Sequence, residues 1–257
     1  MALRSDHLSA TRVPEDSKLP ILGFRAGDLP RRVLVVGDPN RAEKAARQLQ
    51  DVTELGRTRE YVSFAGVHRE TEVAVVSHGV GSAGAAVCFE ELFRAGAERV
   101  IRAGTAGGMQ PNILDGQLVI ATAAVRTDGF TQQVVPMEYP AVADHRVVDS
   151  LLGAAEAAGY DVDPGIVLTV ASFYPHPVLG SSLPMWQQAG VVAVEMEVAA
   201  LFVLATLHGS SAGAILAIDG NPLVEKDDSM EGYNPNRPVV HEAVERMITI
   251  GLDALVR

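Results

Sequence analysis

An arginine lies inside an apolar run of the sequence, Val100-Ile101-Arg102-Ala103, which continues as Gly104-Thr105-Ala106-Gly107-Gly108. A guanidinium is costly to bury unless an anion or a carboxylate pairs with it. The Thr105 hydroxyl follows, and glycines in a turn allow backbone N–H groups to approach a ligand closely. The stretch therefore predicts a short buried strand that ends in a glycine-rich, anion-binding turn, at the strand end where ligands of α/β sheets gather.

A second candidate anion site is Gly37-Asp38-Pro39-Asn40-Arg41, which follows the apolar run from Arg32 to Val36. Asp38 suits the N-cap of a helix, and Pro39 suits its first position. A helix N-terminus attracts anions through its free N–H groups and its dipole, and Arg41 in the first turn is able to reach the same anion. Taken alone, Arg41 fits a surface arginine equally well.

The segment Gly79-Val80-Gly81-Ser82-Ala83-Gly84 matches the dinucleotide-binding pattern GxGxxG, between a predicted strand and a predicted helix. That fingerprint also needs an acidic residue at the end of the next strand, where it binds a ribose hydroxyl. The next strand here ends in Arg102-Ala103-Gly104-Thr105, which contains no acidic residue. Close packing of a helix against a sheet explains these glycines better than a dinucleotide cofactor does.

Three carboxylates at predicted strand ends are candidates for sugar binding and acid catalysis. Glu195 and Glu197 close the apolar run that starts at Val191, and the hydroxyls of a sugar are natural hydrogen-bond donors to a buried carboxylate. Both glutamates can instead cap the following helix, a role that fits Glu197 better than Glu195. Asp219 follows the run Ala214–Ile218 and suits either a general acid or a turn residue.

Phe173 and Tyr174 also follow a predicted strand, where an aromatic ring either stacks on a heterocycle or joins the core. Groups suited to an anion, a diol and a heterocycle thus occur at four strand ends: 37–41, 102–108, 195–197 and 219. That combination indicates a nucleoside and a phosphate as ligands. The sequence lacks the pattern GxxxxGK, which disfavours a P-loop kinase.

The composition limits the partners of the protein. The 257 residues carry a net charge of −11, which argues against binding to nucleic acid or to anionic membranes, because no basic excess neutralises phosphates. The single cysteine, Cys88, lies in an apolar stretch, so we expect a packed thiol without an intramolecular disulfide or a cysteine metal cluster. The N-terminal residues contain no apolar signal-peptide region, and the longest apolar run, Val191 to Leu207, contains two glutamates. We therefore expect a cytoplasmic protein.

Strand and helix patterns alternate along the chain, and no linker-like segment divides it. We predict a single α/β domain, residues 19–257, with a central and largely buried sheet, preceded by a polar N-terminal arm, residues 1–18. Besides the Arg102 stretch, the predicted strands are 32–36, 60–66 and 72–77 (joined by a turn at Gly66), 117–126, 165–171, 191–194 and 212–218. The predicted helices are 39–50, 82–96, 146–158, 196–208 and 238–256, and residues 220–238 are predicted as a loop beside the site.

An ordered set of motifs resembles the trimeric and hexameric nucleoside phosphorylase family, from Val33 to about Leu255. The motifs are VVGDPNR (35–41), REYVSF (59–64), VSHGVGSAGAAVCFEEL (76–92), IRAGTAGGMQP (101–111), AAVRTDG (123–129), YPAVAD (139–144), SFYP (172–175), VEMEVA (194–199) and AIDGNP (217–222). The 76–92 motif and the IDG turn look most like purine nucleoside phosphorylases of protozoan type. The stretch from Met109 to Asp144 is also similar to uridine phosphorylases.

The resemblance implies a mixed central β-sheet flanked by helices, and a homo-oligomer of dimers within a hexamer whose neighbouring subunits share their sites. It implies reversible phosphorolysis, in which a nucleoside and phosphate give a free base and ribose 1-phosphate. No metal and no cofactor take part, and inorganic phosphate is a co-substrate. The partners expected are therefore a nucleoside, phosphate and further copies of the chain.

Carried over residue by residue, the resemblance assigns roles to particular side chains. Phosphate would be bound by Gly37, Arg41, Arg102 and Thr105, with Arg59 reaching the phosphate of the neighbouring subunit. Val80 and Met196 would pack on the ribose, and Glu197 would accept hydrogen bonds from its 2′ and 3′ hydroxyls. Ala106, Gly107, Phe173, Val194 and Glu195 would line the base pocket. Asp219 would be the general acid that protonates purine N7 as the glycosidic bond breaks.

Departures from the family pattern leave alternatives open. The segment Lys18–Gly23 has no histidine where the family places one near a ribose 5′-hydroxyl. Uridine phosphorylases carry glutamine and arginine shortly after the FYP motif, whereas this chain has His176-Pro177-Val178-Leu179-Gly180, which favours a purine. Arg237 is the candidate for the arginine that assists the catalytic aspartate in some members. The alternatives are a uridine phosphorylase and a nucleoside-binding protein without turnover, and Arg41 with Arg102 disfavours a hydrolytic nucleosidase.

Overall fold

The computed structural model describes residues 12–174, 176, 178, 180–223, 234 and 236–257. The strands are β1 Arg32–Val36, β2 Gln50–Thr58, β3 Tyr61–His68, β4 Thr71–Ser77, β5 Arg99–Gly108, β6 Leu118–Thr127, β7 Ala141–Val142, β8 Val162–Val170, β9 Ala193–Glu195 and β10 Ser211–Gly220. The helices are α1 Pro39–Ala46, α2 Ser82–Arg94, α3 Thr131–Val134, α4 His145–Ala157, α5 Leu183–Gln188, α6 Val198–Leu207 and α7 Pro238–Leu255. Of the predicted arm, residues 1–11 lie outside the described residues.

The strands form one mixed sheet in the order β10-β6-β8-β9-β5-β1-β4-β3-β2, and β7 pairs with β6. Strands β4, β1, β5 and β10 are parallel neighbours, whereas β2, β3 and β4 form an antiparallel meander. Because β10 pairs with both β5 and β6, and β9 pairs with both β5 and β8, the strands β5, β10, β6, β8 and β9 close into a ring. The predicted mixed α/β fold is confirmed.

Alternate residues of β1 enter two different cores. Val33 and Val35 pack with α2 and α6, in a cluster whose largest members include Phe89 and Phe202. Leu34 and Val36 point to the opposite face of the sheet, where α1, α4 and α7 cover them. This two-sided burial explains the continuous apolar runs of the parallel strands, since neither face of the sheet is exposed to water. None of the helices within the described ranges is long and apolar enough to cross a membrane.

Four predicted element bounds were wrong. Helix α1 ends at Ala46 instead of Gln50, and Gln50 begins β2, an exposed edge strand whose polar composition hid it from the periodicity. Gly66 does not form the turn of the β3–β4 hairpin but lies within β3. A Cβ at Gly66 would approach the Gln50 carbonyl oxygen to 2.8 Å, so glycine is needed there for strand packing. The turn is instead at Arg69 and Glu70, with φ of 46° and 65°.

The other two bounds lie at the strand ends that carry the candidate site. Strand β5 continues through the glycines to Gly108 instead of ending in a turn at Gly104, because β10 and β9 supply hydrogen-bond partners for its last residues. Helix α6 begins at Val198 instead of Met196, and β9 extends to Glu195. The shift of α6 changes which glutamate is able to cap it.

Candidate active site

The carboxyl ends of four parallel strands bring the candidate residues to one edge of the sheet. In the ladders that flank β1, Val36 pairs with Ser77 of β4 and with Ala103 of β5. On the other side of β5, Ile218 of β10 pairs with Ala106. The segments that begin at Gly37, His78, Gly104 and Asp219 therefore lie at one edge of the sheet, and those at Gly37, Gly104 and Asp219 were predicted to do so.

Arg102 is the buried cation of this edge and is only 3% exposed. Its Nη2 donates to Oε2 of Glu197 and lies 3.4 Å from Oε2 of Glu195. Burial alone would lower the pKa of Arg102, but the two carboxylates outweigh it and raise this pKa above its usual range. Its Nε and Nη1 are buried and have no hydrogen-bond partner within the described part of the chain. Buried donors without partners are costly, so this guanidinium is suited to bind an anion and donate hydrogen bonds to it.

The glycines after Arg102 make room for other groups of the protein. A Cβ at Gly104 would lie 1.4 Å from Nη1 of Arg102, so the guanidinium lies directly across this glycine. A Cβ at Gly107 would lie 2.8 Å from Cδ of Pro222, which packs the turn after β10 against β5. At Gly108 the close group is the Ile113 carbonyl oxygen, also at 2.8 Å. Packing against other parts of the protein therefore already requires glycine at these positions, and close approach of a ligand to their backbone stays a prediction.

The N-terminus of α1 has the predicted geometry. Asp38 is the N-cap, and its Oδ1 accepts a hydrogen bond from the Arg41 amide at 3.1 Å, with Pro39 in the first turn. The Arg41 side chain is 17% exposed, and its Nε lies 3.6 Å from Oδ2 of Asp38. No described atom lies within 4 Å of a Cβ placed on Gly37, so the space beside this residue is open. The end of β1 thus presents an arginine, a helix N-terminus and an open backbone, a combination suited to an anion.

Glu197 connects the arginine to the glycine loop after β4. Its Oε2 accepts from Arg102, and its Oε1 accepts from the amide of Gly81. Burial would raise the pKa of Glu197, but Arg102 and the Gly81 amide outweigh burial and hold this pKa below its usual range. The Ser82 hydroxyl donates to the Met196 carbonyl at 2.7 Å and joins the same two segments. Val80, at the tip of the glycine loop, is 78% exposed.

Glu195, and not Glu197, caps α6, which reverses the order that the sequence favoured. Its Oε2 accepts from the amides of Glu197 and Val198 at 2.7 and 2.9 Å, and its Oε1 accepts from the Thr169 hydroxyl at 2.6 Å. Glu197 makes no side-chain cap bond. The reason is the later start of α6, which places Glu195 three residues before Val198, where its carboxylate reaches the free amides.

His78 is a member of this edge that the sequence analysis missed. Its side chain is fully buried after β4, with Nδ1 2.8 Å from the Gly79 carbonyl oxygen and its ring edge-on to Phe89. Burial, together with the nearby charge of Arg102, lowers the pKa of His78 to about 3. A neutral ring that donates through Nδ1 leaves Nε2 as an acceptor, and Nε2 has no partner among the described residues. The available signal was a histidine that directly follows an apolar strand.

Asp219 is buried at the end of β10 and is 5% exposed. Arg237 donates through Nη2 to the backbone carbonyl of Asp219 at 2.8 Å, and through Nη1 to the carboxylate of Asp115. Arg237 therefore holds the turn that carries Asp219 through its main chain, and its assistance to the Asp219 carboxylate stays a prediction. Most of the loop after β10, residues 224–233 and 235, lies outside the described residues.

The remaining predicted site residues lie in the sheet ladders beside Arg102 or in exposed segments of the chain. Thr105 pairs with Ala217 in the β5–β10 ladder, and Gly107 pairs with Val194 across β5 and β9. Phe173 is 52% exposed and contacts the Tyr174 ring edge-on. Arg59 lies at the exposed turn between β2 and β3 with a φ of 54°, and its contact with phosphate stays a prediction. Within the described ranges, no group of three His, Cys, Asp or Glu side chains is arranged to bind a metal ion.

Comparison with known proteins identifies the class. The sequence model of the Phosphorylase superfamily matches residues 31–257. A purine nucleoside phosphorylase of Plasmodium vivax is 41% identical over 226 residues, which cover 88% of this chain and 90% of the relative. A uridine phosphorylase of Treponema pallidum is also 41% identical, over 209 residues that cover 78% of this chain and 81% of the relative. The chain belongs to the nucleoside phosphorylase family.

A solved structure extends the similarity to three dimensions. The crystal structure of purine nucleoside phosphorylase from Toxoplasma gondii in complex with immucillin-H superposes with a TM-score of 0.89 and 32% sequence identity. The match covers 95% of this chain and 96% of the other chain. The ring of strands and the flanking helices are thus those of the family.

Proposed function

We propose that the protein cleaves the N-glycosidic bond of purine nucleosides and deoxynucleosides by reversible phosphorolysis. The observation that carries this proposal is the buried Arg102, which has two donors without partners within the described part of the chain and lies beside Glu197. The donors suit a phosphate dianion, and the carboxylate suits the hydroxyls of a sugar. An anion site next to a diol site is the requirement for transfer of a glycosyl group to phosphate.

In the proposed reaction, phosphate held by Arg102, Arg41 and Thr105 presents an oxygen to C1′ of the sugar. The new C1′–O bond forms as the C1′–N9 bond breaks, and the bonding pair moves into the purine. Positive charge develops on the sugar in the transition state, and the adjacent phosphate dianion stabilises it. Asp219 donates its proton to N7, so the base leaves as a neutral molecule and the sugar leaves as its 1-phosphate.

The preference for purines rests on Asp219 and on the segment after Phe173. Purines have a basic ring nitrogen, N7, that accepts a proton from an acid at the end of β10, and uracil has no counterpart of this atom. The segment 176–180 also lacks the glutamine and arginine with which uridine phosphorylases of the family bind uracil. Both features favour inosine and guanosine over uridine.

Uridine phosphorolysis is the second candidate, because the Treponema pallidum uridine phosphorylase matches as closely as the Plasmodium vivax purine enzyme. A panel of inosine, guanosine, 2′-deoxyinosine and uridine, each with phosphate and with released base measured by chromatography, decides between them. We expect kcat/KM for inosine to exceed that for uridine by at least about 100-fold, the size of an effect that general acid catalysis supplies. A higher kcat/KM for uridine would transfer the proposal to the uridine enzyme.

A further inference from the structure

We propose that Glu195 is a positioning residue, which fixes the ribose carboxylate Glu197 and the phosphate arginine Arg102 and does not itself bind the base. The inference rests on the proposed function, because it assigns Glu195 a part in the same site. It departs from the family resemblance, which places Glu195 at the base pocket.

The protein itself surrounds the Glu195 carboxylate. Its side chain is 0% exposed. Its two oxygens accept three hydrogen bonds, from the Thr169 hydroxyl at 2.6 Å and from the Glu197 and Val198 amides at 2.7 and 2.9 Å, and Nη2 of Arg102 lies 3.4 Å away as an ion-pair partner. An ionised carboxylate offers about four lone-pair directions, so three are taken by protein donors and a buried guanidinium lies beside the carboxylate.

Each of these donors belongs to a different part of the site. The bond to the Glu197 amide fixes the backbone from which the Glu197 side chain reaches Arg102 and Gly81. The Thr169 hydroxyl, in β8, also accepts from the amide of Ala199 at 3.0 Å. Glu195 and Thr169 thereby join β8, β9 and the first turn of α6, and they set where Glu197 points.

The pKa values of the two glutamates are shifted in opposite directions, in agreement with their different proposed roles. Burial raises the pKa of Glu195, whereas Arg102 and the Gly81 amide outweigh burial and lower the pKa of Glu197. Glu197 keeps its charge over a wider pH range, as a group that accepts hydrogen bonds from sugar hydroxyls requires. Glu195 holds the backbone of Glu197 in place through its hydrogen bonds to the Glu197 and Val198 amides.

The test is Glu195→Gln, which preserves size and one acceptor oxygen but removes the charge and half of the cap. Affinities for inosine, 2′-deoxyinosine and guanosine are measured by calorimetry in phosphate-free buffer, and kcat/KM values are measured with phosphate. We expect the preference for inosine over 2′-deoxyinosine to fall by about tenfold, the effect of one weakened hydrogen bond to a charged group. The ratios of affinity and of kcat/KM between inosine and guanosine should stay unchanged, because other residues contact the base.

A matched control is Asp144→Asn at the opposite edge of the sheet. Asp144 caps α4 through the Arg146 amide at 2.9 Å, and its own amide bonds the carbonyl of Ala212 at the start of β10. This variant loses a capping charge, lowers thermal stability and should leave both ratios unchanged. Thr169→Ser, which retains the hydroxyl, should behave as the wild type, and Thr169→Val should reproduce part of the loss in sugar preference.

Four other outcomes overturn the inference, and a fifth bears on phosphorolysis alone. A changed inosine-to-guanosine ratio in Glu195→Gln would make Glu195 a base contact. An equal loss on all three nucleosides, as for a general loss of stability, would make it structural only. Equal wild-type affinity for inosine and 2′-deoxyinosine would remove the hydroxyl contact that Glu195 is proposed to position. A wild type that binds nucleosides but does not cleave them with phosphate would refute phosphorolysis alone, because the calorimetric ratios still test Glu195. A wild type that binds no nucleoside would refute both.

Discussion

Arg102 and Glu197, the residues proposed for phosphate and ribose, form a buried ion pair. Separating a buried ion pair is costly unless each charge gains a new partner. Phosphate supplies a partner for Arg102, and the two hydroxyls of a ribose supply donors for Glu197. The pair is therefore compatible with both substrates when they are bound together.

Asp219→Asn removes the proton that the proposed mechanism delivers to N7. We expect kcat for inosine to fall by about 10²- to 10⁴-fold, the usual contribution of a general acid, while nucleoside affinity changes little. Steady-state kinetics and calorimetry measure the two quantities. A nucleoside already methylated at N7 needs no proton and should be cleaved by the variant at close to the wild-type rate. Unchanged kcat for inosine would remove Asp219 from the mechanism.

His78 predicts a specific dependence of stability on pH. Burial lowers its pKa to about 3, whereas the unfolded chain has an ordinary histidine pKa of about 6.5. Between these values the unfolded state binds more protons, so stability falls as the pH falls. At pH 5 the loss relative to pH 7 from this one group is about 2 kcal/mol. The charges of Arg102 and Arg41 lower the pKa of His78, and the charge of Glu197 raises it.

The free energy of unfolding from denaturant titrations at pH 5 and pH 7 measures this dependence. His78→Asn retains a donor for the Gly79 carbonyl and does not titrate, so its stability should fall less between the two pH values. The control is His145→Asn, because the His145 side chain is 86% exposed and its loss should leave the wild-type dependence intact. Identical pH dependence in wild type and His78→Asn would contradict the assignment.

Sequence reasoning found the charged residues of the site but not how they share their hydrogen bonds. Arg102 was identifiable because a guanidinium in an apolar strand needs a partner. The capping role was assigned to the wrong glutamate, because the capping carboxylate depends on the residue at which α6 begins. His78 was missed because its one signal, a histidine directly after an apolar strand, does not show that the ring is buried.

At the scale of elements, the site depends on β5, which pairs with both β1 and β10. This strand contains Arg102, whose guanidinium lies over Gly104. The sequence predicted this strand but ended it at the glycines, because glycine usually breaks a strand. The partners that extend it, β9 and β10, come from distant parts of the chain and give no local signal. Edge strand β2 was missed for the opposite reason, since it is exposed and lacks an apolar pattern.

Gly104→Ala tests the proposed role of the β5 glycine. A Cβ there would lie 1.4 Å from Nη1 of Arg102, so the guanidinium must move away from the position in which its donors face the site. We expect KM for phosphate to rise by about tenfold or more, the effect of losing one charge-assisted hydrogen bond. Phosphate-dependent kinetics measure the change, and circular dichroism verifies the fold.

Gly84→Ala is the matched control, in the first turn of α2. There the nearest atom to a new Cβ is the Tyr61 hydroxyl at 3.9 Å, an ordinary contact. The variant should keep the wild-type KM for phosphate and gain about 0.5–1 kcal/mol of stability, because alanine favours a helix over glycine. A Gly104→Ala protein with the wild-type KM would show that Arg102 does not bind phosphate in this orientation.

At the scale of the whole molecule, alternating strands and helices were enough to predict one mixed α/β domain. They did not predict the ring of β5, β10, β6, β8 and β9, because closure depends on β9, which has three residues, and on β10, which pairs on both sides. Arg59 lies at the exposed turn between β2 and β3. The family resemblance predicts that it reaches the phosphate of a neighbouring subunit.

Mixing two inactive variants tests such a shared site. In a dimer of Arg59→Ala and Arg102→Gln subunits, one of the two sites receives Arg102 from one chain and Arg59 from the other. Random reassembly of equal amounts should restore about a quarter of the wild-type activity, since half of the dimers are mixed and half of their sites are intact. Activity is measured after joint denaturation and refolding, with each variant refolded alone as the control. A mixture no more active than its components would contradict sharing through Arg59.

The dependence of nucleoside cleavage on phosphate tests the central claim most directly. The purified protein is freed of phosphate by dialysis and given inosine, and hypoxanthine release is followed with and without added phosphate. We predict release only with phosphate, together with one ribose 1-phosphate for each hypoxanthine. Cleavage at the same rate without phosphate would contradict the account, because Arg102 would then hold no nucleophile and water would take its place.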